Sequence, residues 1–149
     1  MNVSTQGAFI IHLLRCIGVT KYAWGACHSS GEYSKMNPPD EADCSGFTLW
    51  GYDKVGFTEE GEVLHGFTGG AINILQKCRD LRQELTVAAA TQRRGAHLFL
   101  MRPGVNKGNH IAVVIAPGWL IHCSSSRKGV WIERIADCKI KWTHGGYLV

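Results

Sequence analysis

Three residues in one order carry the reactive chemistry of this chain: the cysteine of Asp43-Cys44-Ser45-Gly46-Phe47, then His110, then His122. A cysteine attacks as its thiolate, and it needs a base to take its proton and a polar group to hold that base in place. Asp43 suits a helix N-cap, because its carboxylate can accept from N–H groups of the first turn. Cys44 would then open the helix, where the positive end of the dipole and the unpaired N–H groups favour the anion. Ser45 and Gly46 keep the approach to sulfur small, while Phe47, Leu49, Trp50, Tyr52 and Val55 cover more than one side of the same segment. That distribution predicts a helix buried against a sheet. Taken singly, the motifs are ambiguous: a lone cysteine is commonly a small buried hydrophobe, and a lone histidine a satisfied surface or core residue.

The second half of the chain supplies the context. Asn109-His110-Ile111-Ala112-Val113-Val114-Ile115 is a histidine entering an apolar, β-branched run, and Leu120-Ile121-His122-Cys123 is a second strand after the turn signal Pro117-Gly118. Side chains alternate along a strand, so the register decides whether the two histidines can meet. A plain two-residue turn at Pro117-Gly118 would pair Val113 with His122 and send His110 to the opposite face. Pairing centred on Ala116 would set His110 directly across from His122, with Cβ atoms about 5 Å apart. A histidine pair therefore requires an odd-length loop around residues 115–117, or a bulge.

The elements that must position these groups read as a helix over about residues 5–17, a cleft-lining loop to 42 and the cysteine helix over about 43–55. A glycine-punctuated connection (Gly56, Gly61, Gly66, Gly69, Gly70) is expected to be mobile and to form one wall of the cleft, with a helix or two following between Gly69 and Leu85. Strands are expected near residues 97–101, 110–115, 119–123 and 130–135. Helices first and antiparallel strands after is an α+β order, with the reactive groups between the cysteine helix and the sheet.

With 149 residues and 45% hydrophobic content, the chain can bury a core as one domain over residues 1–149 without staples. Charge is uneven: residues 1–74 hold 4 Lys/Arg against 8 Asp/Glu, net −4, and residues 75–149 hold 12 against 4, net +8. No nucleic-acid module accompanies the basic half, which would serve as a solvated surface or steer an anionic polymer. The six cysteines show no Cys-x-x-Cys spacing, so no metal site is expected, and setting Cys44 aside leaves an odd number, which favours reduced thiols over a disulfide framework. Cys123 should point to the opposite face from His122 and belong to the core; His97 is read as a surface or interface residue, with a substitute orienter as the other option. No run is apolar enough to span a bilayer, and Phe9–Leu14 is too short, and lacks the flanks, for a secretion signal.

Tyr22-Ala23-Trp24-Gly25-Ala26, the Asp-Cys-Ser-Gly box, Asn109 to Val114, Ile121 to Ser124 and Lys128-Gly129-Val130 together resemble the NlpC family of bacterial cell-wall cysteine peptidases, over about residues 5–135. The resemblance implies a papain-like α+β fold, with N-terminal helices and the nucleophile helix packed on a C-terminal antiparallel sheet. It implies Cys44 as nucleophile, His110 as base and His122 as orienter, with Tyr22, Trp24, Asp43 and Ser45 binding substrate and Asp43 near the substrate's amino-terminal end. The implied reaction is hydrolysis of amide bonds in peptidoglycan stem peptides, after γ-D-glutamyl residues, without a cofactor. Action at the cell wall or periplasm would fit a phage lysis or tail enzyme or an exported effector. Departures are Asn109 where the family has glycine, Gly95-Ala96-His97 where it has Gly-Asp-Leu, and a long segment from Cys27 to Ala42. Two alternatives stay open: an acyl- or amide-transferring enzyme of the same fold, and a non-catalytic wall-binding or tail module.

Overall fold

The computed structural model describes residues 3–56, 70–104 and 108–149. Helix α1 (Val3–Leu14) leads into the short strand β1 (Lys21–Tyr22), a single turn α2 (Ser30–Tyr33) and strand β2 (Glu41–Ala42). The cysteine helix α3 (Cys44–Lys54) follows, then α4 (Ala71–Asp80), β3 (Glu84–Leu85) and α5 (Val87–Gln92). The C-terminal half supplies β4 (His97–Leu100), β5 (His110–Ala116), β6 (Trp119–Ser124), β7 (Gly129–Arg134), a 3-10 turn (Ile135–Asp137) and β8 (His144–Gly146). The strands form one sheet in the order β2-β1-β7-β6-β5-β4-β8-β3, antiparallel in every pair except β1–β2.

This is the α+β architecture expected from the order of elements. The cysteine helix lies where its composition puts it: every residue from Cys44 to Tyr52 is buried. Phe47, Leu49 and Trp50 pack with Phe9 and Leu13 of α1 on one side and with Ile111, Val113, Ile121 and Cys123 of the sheet on the other. Alternate residues Ala112, Val114 and Leu120 face a second, smaller core with Leu98, Ala90 and Ala96. Both faces of the central strands are thus covered, which explains an apolar run in β5 with no polar alternation.

The β5–β6 hairpin combines two features that the sequence presents as alternatives. Pro117-Gly118 is a two-residue turn, pairing Ala116 with Trp119. Gly118 takes φ +80°; proline followed by a positive-φ glycine is the type II pattern, whose twist opposes that of the strands it joins. The register then shifts between Val114 and Ala116, so that Val114 pairs with Leu120 and Val113 with Ile121. This bulge puts Ala112 across from His122 and leaves His110 as its diagonal neighbour on the same face, a correction to the directly opposed pair. Bulges re-aim side chains in this way.

The expected glycine-punctuated wall falls largely on residues 57–69, outside the described residues. The segment from Cys27 to Ala42 packs against the cysteine helix, where Trp50 Nε1 donates to Lys35 O at 3.0 Å and Lys54 Nζ to Ser34 O at 3.0 Å, and it is also tied to the residue before β1, where Thr20 Oγ1 donates to Pro39 O at 2.6 Å. His97 is neither a surface residue nor an orienter. It is fully buried on the helix-facing side of the sheet, its Nδ1–H donating to Ala112 O at 3.3 Å and its Nε2 accepting from the Tyr52 hydroxyl. A tyrosine one helix away satisfies it, a partner that no local pattern reveals.

Candidate active site

Asp43 begins the site as the N-cap of α3. Its Oδ1 accepts from Gly46 N at 2.8 Å and from His28 Nε2–H at 2.7 Å, and its Oδ2 accepts from Gly25 N at 3.1 Å. Ser45 Oγ also donates to Oδ1, at 3.3 Å. Burial acts to raise the Asp43 carboxyl, but the hydrogen bonds from His28 and Gly46 and the His28 charge outweigh it and hold the group below its usual range. One carboxylate therefore caps the helix and ties the Gly25–His28 loop to it.

Cys44 follows on the first turn, 8% exposed. Gly46 does more than keep the approach to sulfur small. A Cβ there would come within 2.3 Å of Ala26 O and 2.9 Å of Cys27 O, so glycine is what lets this loop lie against the helix. Burial, reinforced by the Asp43 carboxylate, pushes the Cys44 thiol up to about 12, although N–H groups of Ile111, Ser45 and Cys44 itself act the other way. The expected preference for the anion at the helix start is thus outweighed by loss of water around the sulfur.

His110 opens β5 and lines the same cleft as Cys44. Its Nε2 shares a hydrogen bond of 2.8 Å with His122 Nδ1, the rings standing 69° apart. On its other side the Trp142 ring stacks with it at a centroid separation of 5.9 Å and an interplanar angle of 23°. Burial lowers the His110 imidazole to about 3, with the neighbouring His122 adding to the effect and Asp43 opposing it. His122 is lowered to about 4 by burial, against the Glu133 carboxylate and with Arg127 adding to the drop. With the thiol raised and the imidazole lowered, Cys44 and His110 are both neutral at rest.

The cleft has a volume of about 730 Å³. Its walls include all four expected substrate-binding residues, Tyr22, Trp24, Asp43 and Ser45, together with Cys44 and His110. Trp24 is 73% exposed, a large apolar ring presented to solvent at the rim. His122 lies behind the cleft, lining a separate cavity of about 270 Å³ with Arg127, Glu133 and Cys138. The arrangement can deliver a thiol sulfur to an electrophile held in the cleft, beside an imidazole fixed by a second imidazole.

Sequence reasoning missed His28, Trp142 and the row Ser124-Ser125-Ser126, which also lines the cleft. His28 and Trp142 reach the site across the fold and leave no spacing signal; the serines directly follow His122-Cys123 and could have been read from that position. Cys123 is buried as expected, its Sγ donating to Ala42 O at 3.2 Å. Among the described residues no group of three or more His, Cys, Asp or Glu side chains is placed to hold a metal ion, and no helix is long and apolar enough to cross a membrane.

The sequence profile of the NlpC/P60 family matches residues 18–144. Among solved structures, the chain is similar to the NlpC/p60 domain of the peptidoglycan hydrolase SagA, at 20% identity and TM-score 0.58, covering 96% of this chain and 98% of that one. It is similar to the peptidoglycan hydrolase RipB of Mycobacterium tuberculosis at 19% identity and TM-score 0.64, covering 96% of this chain and 64% of that one. NlpC1 of Trichomonas vaginalis aligns at 16% identity and TM-score 0.62, over 97% of this chain and 44% of that one. The chain thus spans nearly all of the first and less than two thirds of the other two. Among curated proteins there is no match.

Proposed function

The chain belongs to the NlpC/P60 family, and from that premise we propose that it is a cysteine peptidase that hydrolyses amide bonds in peptidoglycan stem peptides. Cys44 is the nucleophile, His110 the proton carrier and His122 the orienter. The observation that carries the reading is the 2.8 Å hydrogen bond between His110 and His122, with His110 lining the same cleft as a cysteine at a helix N-terminus. The peptidoglycan hydrolases SagA and RipB, whose fold this chain shares, supply the substrate class.

His110 accepts the Cys44 proton as sulfur attacks the amide carbonyl, and a backbone N–H at Cys44 faces the developing oxyanion. The imidazolium then protonates the leaving amine, and water, deprotonated by His110, resolves the thioester to acid and free thiol. The donor-rich first turn of α3 favours negative charge on the reacting atoms more than on the resting thiol, because that charge appears only as the proton leaves. Tyr22 and Trp24, which line the cleft with Asp43, offer flat apolar surface for the substrate, and the Asp43 carboxylate is the group we assign to its amino-terminal end. Cleavage after γ-D-glutamyl is the bond we assign, and the cell wall or periplasm the place of action.

Digestion of purified peptidoglycan with the wild type and with Cys44→Ala tests this. Mass spectrometry should find new amino termini within the stem peptides, absent with Cys44→Ala. New reducing sugar ends, transfer of the acyl group to an added amine in preference to water, or unchanged peptidoglycan would each overturn the assignment.

A further inference from the structure

His122 has a second ring nitrogen that a triad of Cys44, His110 and His122 leaves without a role. Its Nδ1 is engaged by His110, whereas its Nε2 is buried and makes no hydrogen bond among the described residues. Glu133 Oε1 stands 3.9 Å from that Nε2, in the range of charge–charge contact and beyond that of a direct hydrogen bond. Glu133 belongs to β7, where Leu120 pairs with Glu133 and His122 with Trp131, so its side chain rises on the face that carries His122. The carboxylate is only 11% exposed. Its other oxygen is held by Arg127 Nη2 at 3.3 Å, and the carboxylate also has the Cys138 thiol as a hydrogen-bond neighbour. A partly buried carboxylate fixed by a guanidinium and aimed at an unpartnered imidazole nitrogen is a placed charge.

We propose that Glu133 is a positioning residue for the catalytic pair: its carboxylate keeps the His122 proton on Nε2, which leaves Nδ1 as the acceptor that His110 needs. A neutral imidazole carries a single N–H. Were that proton on His122 Nδ1, the shared hydrogen bond would run from His122 to His110 Nε2, and His110 would carry its own proton on Nδ1. Neither nitrogen of His110 could then take the proton from Cys44. With the proton on His122 Nε2, His110 donates from its own Nε2 and presents a bare Nδ1 as base. A negative charge on the Nε2 side selects this second arrangement, and it stabilises the imidazolium formed once the thiol proton has moved. The charged and titratable groups around His122 are Glu133 and Arg127, Asp137, Cys138 and Lys139 from the segment beyond β7, and His110 itself. Of these, Glu133 is the carboxylate that reaches the imidazole.

The inference rests on the roles proposed above for Cys44, His110 and His122, so its test reads the tautomer without a substrate. Nitrogen-15 NMR of the full chain should show His122 protonated at Nε2 and bare at Nδ1. In Glu133→Gln the two tautomers should mix, and iodoacetamide should alkylate Cys44 about three- to tenfold more slowly near neutral pH. Glu133→Asp should recover part of the loss, which a purely structural role for the side chain would not produce. A wild-type His122 carrying its proton on Nδ1 overturns the proposal, even if a variant fails to fold. So does a Glu133→Gln protein with unchanged tautomer and alkylation rate. If instead wild-type Cys44 proves unreactive and indifferent to His110→Ala, the nucleophile assignment falls, while the tautomer measurement still reports on Glu133.

Discussion

Cys44 and His110 are each displaced against the direction that makes a resting ion pair: the thiol is raised to about 12 and the imidazole lowered to about 3, mainly by burial. The reactive state holds one proton between them, and that state persists from the loss of the imidazolium proton to the loss of the thiol proton. The expected kcat/KM profile is a broad bell, flat through the interval between those two displaced values, with limbs that belong to the pair and not to either residue. A pH–rate profile with a narrow peak inside that interval would contradict the opposed shifts. In the proposed triad His122 serves by accepting a hydrogen bond, so His122→Gln should keep a measurable fraction of the rate and His122→Ala should lose about a hundredfold. Equal rates in His122→Ala and wild type would remove the orienter from the account. The candidates Cys44, His110 and His122 were legible as residue types at motif spacing, and the structure brings His110 and His122 into hydrogen-bond contact. Glu133 was not legible: its position behind His122 comes from the β6–β7 register, which no local pattern encodes.

The cysteine helix and the β5–β6 hairpin are the two elements that bring the groups together, and each is locally encoded. Asp43 sets the start of α3, and the continuous apolar run after Gly46 marks it as a helix covered on more than one side. Pro117-Gly118 sets the hairpin, and the bulge next to it puts the two histidines on one face. The short pieces β1, β2, β3 and β8, of two or three residues each, escaped the sequence reading. Such strands carry no periodicity, and edge or closing positions in the sheet define them. Helix α5, Val-Ala-Ala-Ala-Thr-Gln, escaped for a similar reason, since six residues with one side-chain cap give little pattern. Gly46 offers the sharpest test at this scale. A methyl group there must displace the backbone of residues 26–27 or the first turn of α3. Gly46→Ala should therefore cost about 1–3 kcal/mol of stability, read as a lower urea midpoint, and should depress turnover further by moving the sulfur. A variant with wild-type stability and turnover would show that the loop does not need its close approach.

At the scale of the whole molecule, three buried histidines among the described residues are held neutral in the folded state: His97 and His122 lowered to about 4 and His110 to about 3, each chiefly by burial. In the unfolded chain a histidine takes its proton near about 6.5. Below that value the unfolded state binds more protons than the folded one, so their contribution is fully present above about pH 6.5 and is lost as pH falls toward about 4. The urea midpoint should accordingly drop between pH 6.5 and pH 4, and His97→Gln, starting from a lower midpoint, should show a shallower drop. A midpoint constant over that interval would mean that the buried imidazoles stay hydrated. The division of charge, −4 in residues 1–74 and +8 in residues 75–149, belongs to this scale as well. It sets a field that salt screens over about 8 Å at physiological ionic strength, without bearing on which bond is cut.

The six cysteines allow the proposed activation of Cys44 by His110 to be read in one measurement, because exposure and mechanism rank them differently. Cys138 is the most exposed, and its thiol is raised to about 11, whereas Cys44 is buried and raised to about 12. On accessibility and acidity alone, Cys138 should react first. Only a base that takes the Cys44 proton can reverse that order. The measurement is iodoacetamide labelling of the reduced protein near neutral pH, resolved by cysteine through mass spectrometry, in the wild type and in His110→Ala. Cys44 should label first in the wild type and fall behind Cys138 in His110→Ala. Labelling of Cys138 first in both proteins, or an order unaffected by His110, would contradict it.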